Sequence, residues 1–109
     1  MKVKSVLAAA ALIVLSACGS RLAAPTEVDL AGIQAEYPDA TLMALNEGKS
    51  HYQNVCSNCH ALYNPADYND SQWNKLVSGM SNKARGKGIE VTDDMEAKIK
   101  MYLVAVNGQ

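Results

Sequence analysis

The chain has 109 residues, a formal net charge of -1, 49% hydrophobic residues, one Trp, five Tyr and no Phe. That length allows one domain at most, and the near-neutral balance excludes the broad basic surface that nucleic-acid binding uses. So few large apolar side chains bury little surface, which calls for a staple such as a disulfide, a metal or a large cofactor.

Residues 1–17 read as an export leader. Lys2 and Lys4 supply a positive start, and Val6 to Leu15 is an unbroken apolar run. Such a run matches a signal-peptide core and falls short of the roughly 20 apolar residues a spanning helix needs. It ends in Leu15-Ser16-Ala17-Cys18, which resembles the bacterial lipobox, whose cysteine is lipidated and becomes the mature N-terminus. Cys18 is therefore the expected lipid anchor, with an ordinary leader cleaved after small residues as the alternative. Losing Lys2 and Lys4 with the leader leaves 8 Lys/Arg against 11 Asp/Glu, a mildly acidic mature chain.

Residues 18–39 lack a sustained period and contain Pro25, Gly32 and Pro38. They are expected to form a tether with a reach of roughly 25 Å; a short helix or strand around Val28 to Ala35 is the other option. Three amphipathic segments then make up an expected domain over 40–109. In the first, Leu42, Leu45, Tyr52 and Val55 recur at helical intervals, with Gly48 on the same stripe. The second opens on the cap-type residues Asp70 and Ser71 and places Trp73, Leu76, Val77 and Met80 at i, i+3, i+4 and i+7. "NKARGKG" reads as a turn. In the third, Thr92 is the expected N-cap, and Met95, Ile99, Tyr102, Leu103 and Val106 share a face before the Asn107-Gly108 stop. No strand alternation is present, so the expected fold class is all-α, with about three main helices.

The segment "NVCSNCHALYNP" places Cys56, Cys59 and His60 in the order C-x-x-C-H. Three chemistries compete for it. C-x-x-C-H is the attachment motif of c-type haem, in which two thiols bond the porphyrin edge and the following histidine ligates the iron. A disulfide or redox pair would not need His60. A zinc site would need two more ligands, and His51 is the only other histidine. An exported, oxidising setting disfavours a reduced zinc or dithiol site, so haem is the leading reading and His60 the proximal ligand.

The surrounding residues resemble the small class I cytochromes c over 40–109. Their first helix commonly reads Gly, three residues, an aromatic, three residues and then C-x-x-C-H; Gly48, Tyr52, Cys56, Cys59 and His60 keep those intervals. Their last helix ends in an aromatic-Leu pair packed on that glycine, a place Tyr102-Leu103 would take here. The resemblance implies a cytochrome fold around one covalent haem c and its iron.

It also implies a methionine as second axial ligand, although the usual Pro-containing loop with a Met is missing between the last two helices. Met80 is the expected ligand, because it shares the Trp73 stripe just before a turn. "W-x-x-L-V-x-x-M" followed by a basic turn also looks like a subset of small bacterial cytochromes c. Met95, Met101, Met43 and His51 are the other candidates. Lys83, Arg85 and Lys87 read either as a solvated turn or as partners for haem propionates or an acidic protein. Tyr63, Tyr68 and Trp73 are expected to wall the haem pocket, and a carbonyl around Asn64-Pro65 to orient His60.

The implied function is one-electron transfer between redox partners, from a lipid-anchored, periplasm-facing position. Gly19 stands where an aspartate would often signal inner-membrane retention, which favours the outer membrane. No Ser-His-Asp set, inward carboxylate pair or phosphate loop is evident, so the chain is not expected to be an enzyme. A haem sensor or gas-binding protein with an open sixth position is the alternative, and a haem-free lipoprotein with a Cys56–Cys59 disulfide is the rival from another class.

Overall fold

The computed structural model describes residues 22–108, so the expected leader and the lipidation residue Cys18 lie outside the described residues. Among the described residues the secondary structure is entirely helical, as expected. Four α-helices are present: α1 (Glu27–Ile33), α2 (Leu42–His51), α3 (Asp70–Gly86) and α4 (Asp93–Val106). A π-helical turn, Tyr52–Cys56, prolongs α2, and a short 3-10 turn, Pro65–Asp67, precedes α3.

Each helix begins at a side-chain cap that satisfies otherwise unpaired backbone N–H groups. Thr41 accepts from the N–H of Ala44 at 3.1 Å, and Thr92 accepts from that of Met95 at 3.1 Å, as expected. For α3 the cap is Asn69, one residue before the expected Asp70. Its side chain accepts from the Gln72 N–H at 2.9 Å while Gln72 accepts from the Asn69 N–H at 3.0 Å.

The turn expected at "NKARGKG" is corrected. Helix α3 runs on to Gly86 and ends at Gly88, whose φ of +80° suits glycine. There the N–H of Ile89 donates to the Ala84 carbonyl and that of Gly88 to the Arg85 carbonyl, both at 3.0 Å, the paired bonds of a Schellman end. Asn82 to Arg85 have no helix breaker among them, so the helix continues until a residue can take the left-handed conformation.

The flexible tether expected over 18–39 is also corrected for residues 22–39, which pack against the domain. Thr26 and Asp29 form a reciprocal capping box that starts α1. Leu22 and Ile33 are buried, and the Tyr102 hydroxyl donates to the Ala23 carbonyl at 2.7 Å. The apolar residues of this segment thus cover α4, and the folded unit begins by residue 22 rather than at 40.

The core lies where α2, α3 and α4 meet. Tyr52, Trp73, Val77, Ile99, Tyr102 and Leu103 are each at most 1% exposed. Helices α2 and α4 cross at Gly48, where an added Cβ would lie 2.1 Å from the Lys98 carbonyl oxygen and 3.0 Å from the Tyr102 Cβ. The close glycine–tyrosine approach expected for the family is therefore present.

Candidate haem site

The π turn and the segment after it bring Cys56, Cys59 and His60 to one side of the domain, facing the second half of α3. A cleft of about 230 Å³ lies between them, lined by Val55, Cys56, Cys59, His60, Met80, Lys83, Ala84 and Lys87. The structure therefore gathers all four residues expected to hold the group. Met80, Lys83 and Ala84 fall at i, i+3 and i+4 on one face of α3, and Lys87 follows at its C-cap. A wider, more open depression of about 580 Å³, bordered by Ala66 to Ser71 and Asn107, holds no thiol, imidazole or thioether.

The rival sixth ligands lie elsewhere. Met95, Met43 and His51 line a separate surface cleft with Glu47 and Lys98. Met101 packs under α1 with Ile33, Ala40 and Leu45. Of these candidates, Met80 alone lines the cleft of the C-x-x-C-H residues.

Burial pushes the Cys56 thiol up to about 11, with the neighbouring Cys59 adding to the shift. At neutral pH that thiol is protonated, unlike the low-pKa thiolate of a reactive redox dithiol. Both cysteines are free of a disulfide. Among the described residues no group of three His, Cys, Asp or Glu side chains is arranged to hold a metal ion.

His60 is exposed, and its Nδ1 lies 2.8 Å from the Ala61 carbonyl oxygen. With Nδ1 protonated, that hydrogen bond fixes the tautomer and leaves Nε2 for a metal. The expected acceptor near Asn64-Pro65 is thus corrected to Ala61. The Pro65 carbonyl instead accepts from Trp73 Nε1 at 2.8 Å, and the Asn64 side chain caps the 3-10 turn.

The aromatic residues expected to wall the pocket do not line the cleft. They form a series leading away from His60: Tyr63 lies 5.1 Å from the imidazole, Tyr68 5.7 Å from Tyr63, and Trp73 5.1 Å from Tyr68, centroid to centroid. Trp73 in turn meets Tyr52 edge to face at 6.1 Å. Trp73 belongs to the core because its indole N–H finds a partner there.

The basic run divides. Lys83 and Lys87 border the cleft, and Lys87 Nζ lies 3.8 Å from Cys59 Sγ. Arg85 turns the other way and staples α3 to α4. Its Nε donates to the Val91 carbonyl at 2.7 Å, and its Nη1 reaches Glu96 at 3.3 Å. Sequence reasoning missed Val55 and Ala84 as cleft residues. Continuing the α3 period past Met80 would have found Ala84.

A four-helix unit carrying C-x-x-C-H and a thioether across one cleft is the arrangement of a c-type cytochrome. The family model of dihaem cytochrome c matches residues 52–109, more than half of the chain, and the protein belongs to that family. The chain has no match among curated proteins or among solved structures. The match spans Tyr52 to the end of α4 and so contains Cys56, Cys59, His60 and Met80. Membership shows a haem protein of electron transfer and implies covalent haem c with iron. The family's description specifies two haems, whereas residues 1–109 contain one C-x-x-C-H motif.

The donor set fits that group. Two thiols stand three residues apart with an imidazole next to them, a thioether faces them, and two ammonium groups at the border can meet carboxylates.

Proposed function

We propose that residues 22–108 hold one covalent haem c and pass single electrons between redox proteins. Cys56 and Cys59 are its thioether residues, His60 its proximal ligand and Met80 its sixth ligand. The observation that carries this reading is the convergence of those four side chains on one cleft. When bound, haem iron supplies the one-electron couple, and His/Met ligation raises its potential. Lys83 and Lys87 offer positive charge to the propionates, and Val55 and Ala84 give the cleft an apolar floor. At about 230 Å³ the cleft is smaller than the roughly 300–1,000 Å³ of sites that engulf a ligand. An exposed porphyrin edge follows, which suits electron exchange with another protein.

We further place the protein in a bacterial envelope, anchored by lipid on Cys18, periplasm-facing and on the outer membrane, and not itself an enzyme. The sequence Leu15-Ser16-Ala17-Cys18-Gly19 supports the anchor and the membrane. Among the described residues no helix is long and apolar enough to cross a membrane. Oxidised and reduced visible spectra, with a pyridine haemochrome assay on denatured protein, test the haem. One haem per chain that survives denaturation is expected; a haem-free chain with a Cys56–Cys59 disulfide would refute the proposal. Reduced protein that binds carbon monoxide without displacing a ligand would point to a gas sensor.

A further inference from the structure

The segment carrying His60 is held by two side chains that line no part of the cleft. From the π turn, the Tyr52 hydroxyl donates to the Tyr63 carbonyl at 2.8 Å. From the start of α3, Trp73 Nε1 donates to the Pro65 carbonyl at 2.8 Å. The donors are almost fully enclosed, with Tyr52 1% and Trp73 0% exposed, and their rings meet edge to face. Most of the accepting segment is open to solvent: His60, Ala61, Tyr63 and Asn64 are exposed, and only Pro65 at its end is buried. His60 touches this segment twice, through Nδ1 to the Ala61 carbonyl and through ring contact with Tyr63. What fixes the imidazole is therefore the path of residues 61–65, and what fixes that path is the Tyr52–Trp73 pair.

We propose that Tyr52 and Trp73 are positioning residues for His60, setting its ring plane and its Nδ1 hydrogen bond by clamping the Tyr63 and Pro65 carbonyls. The inference rests on His60 being the iron ligand. The Nδ1 bond to a carbonyl makes the imidazole a more basic ligand, which favours ferric iron. Loosening the clamp weakens that bond and lets the ring turn.

The test is Tyr52→Phe in the holoprotein, which removes one oxygen and keeps the ring against Trp73. The expected result is unchanged covalent haem content, an upward shift in midpoint potential and an altered spread of the hyperfine-shifted haem methyl resonances, which report the imidazole plane. Trp73→Phe asks the same through Pro65, and either variant alone decides. Tyr102→Phe is the matched control, because it deletes another buried phenol that bonds a backbone carbonyl outside the 61–65 segment. It should lose comparable stability and leave potential and resonances unmoved. Wild-type potential and resonances in Tyr52→Phe or Trp73→Phe, or equal shifts in Tyr102→Phe, would overturn the proposal. A wild-type protein lacking haem would instead fail in the haemochrome assay and take the functional reading down with it.

Discussion

Gly48 and Cys56 stand eight residues apart on one helical run, yet their surroundings are opposites. At Gly48 backbone meets backbone: a Cβ there would lie 2.1 Å from the Lys98 oxygen, and Tyr102 beside it is 0% exposed. Around Cys56 the chain offers side-chain ends instead. Cys59 and His60 are exposed, and Met80 is half-buried across the cleft. The crossing is completed by the chain itself and tolerates no added atom, whereas the cleft is a set of donors on a frame fixed elsewhere. Substitutions at the crossing should act on folding, and those in the cleft on haem chemistry.

The largest effect should come from Gly48→Ala. An alanine gains about 1 kcal/mol in helix propensity, but overpacking a core costs about 1–3 kcal/mol and sometimes more. Here the obstacle is a carbonyl of α4 rather than a movable side-chain tip, so α2 and α4 must part. With the overpacking cost placed at the top of that range, a net loss of about 2 kcal/mol is expected, read as a lower denaturant midpoint and a fall in soluble yield. A midpoint equal to wild type would show that the crossing gives way more easily than its geometry implies.

Cys56→Ala, Cys59→Ala and their double variant press on the other side of the comparison. The double variant should carry no haem through denaturation and should lose stability with it, because the small apolar core is left without its cofactor staple. Covalent haem in the double variant would break the assignment. His60→Ala should retain thioether-linked haem in part and lose the proximal ligand's spectral signature.

Methionine substitutions sharpen the contrast within the cleft. Met80→Ala should abolish the weak near-infrared sulfur-to-iron band, lower the potential and admit carbon monoxide, with roughly 1–3 kcal/mol of lost packing. Met101→Ala, under α1, and Met95→Ala, which packs behind the cleft residues Val55 and Ala84 and lines the other surface cleft, should cost similar packing and keep the band. Loss of the band in Met95→Ala, with Met80→Ala unchanged, would move the ligand to α4.

The sequence disclosed the two regions unequally. Period and caps mark α4, from Thr92 to the Asn107-Gly108 stop, and the family resemblance carried by Gly48-Tyr52-Cys56 implies the crossing. Short-range chemistry was legible because C-x-x-C-H fixes its own geometry. Helix α1 overlaps the short helix or strand that the sequence offers around Val28 to Ala35 beside a tether, and Thr26-Glu27-Val28-Asp29 spells its capping box; seven residues are too few to show a period that decides between the options, and their burial comes from α4, distant in sequence. Likewise nothing local to Trp73 says that its N–H will seek the Pro65 carbonyl, so sequence alone assigns the residue to the pocket wall. The Lys83–Lys87 region failed for a different reason. Two glycines suggested a turn, but only Gly88 takes a positive φ, and the helix absorbs Gly86.

The smallest expected effect concerns pH and separates the buried phenols from the open cleft. Burial raises the Tyr102 hydroxyl to about 12, and it raises Tyr52 further above the usual tyrosine range. A folded-state value above the unfolded one, near 10, means that folding favours the neutral phenol. That stability is fully present below about pH 10 and is lost as pH rises towards about 12. Denaturant midpoints should therefore be flat from pH 7 to 9 and decline above 10. Tyr102→Phe should start lower by about 1 kcal/mol, for the lost bond to Ala23, and then decline less steeply, because one of the two phenols no longer titrates. Parallel curves for the two proteins would show that Tyr102 opens to water before it ionises, and that the crossing is looser than its 0% exposure suggests.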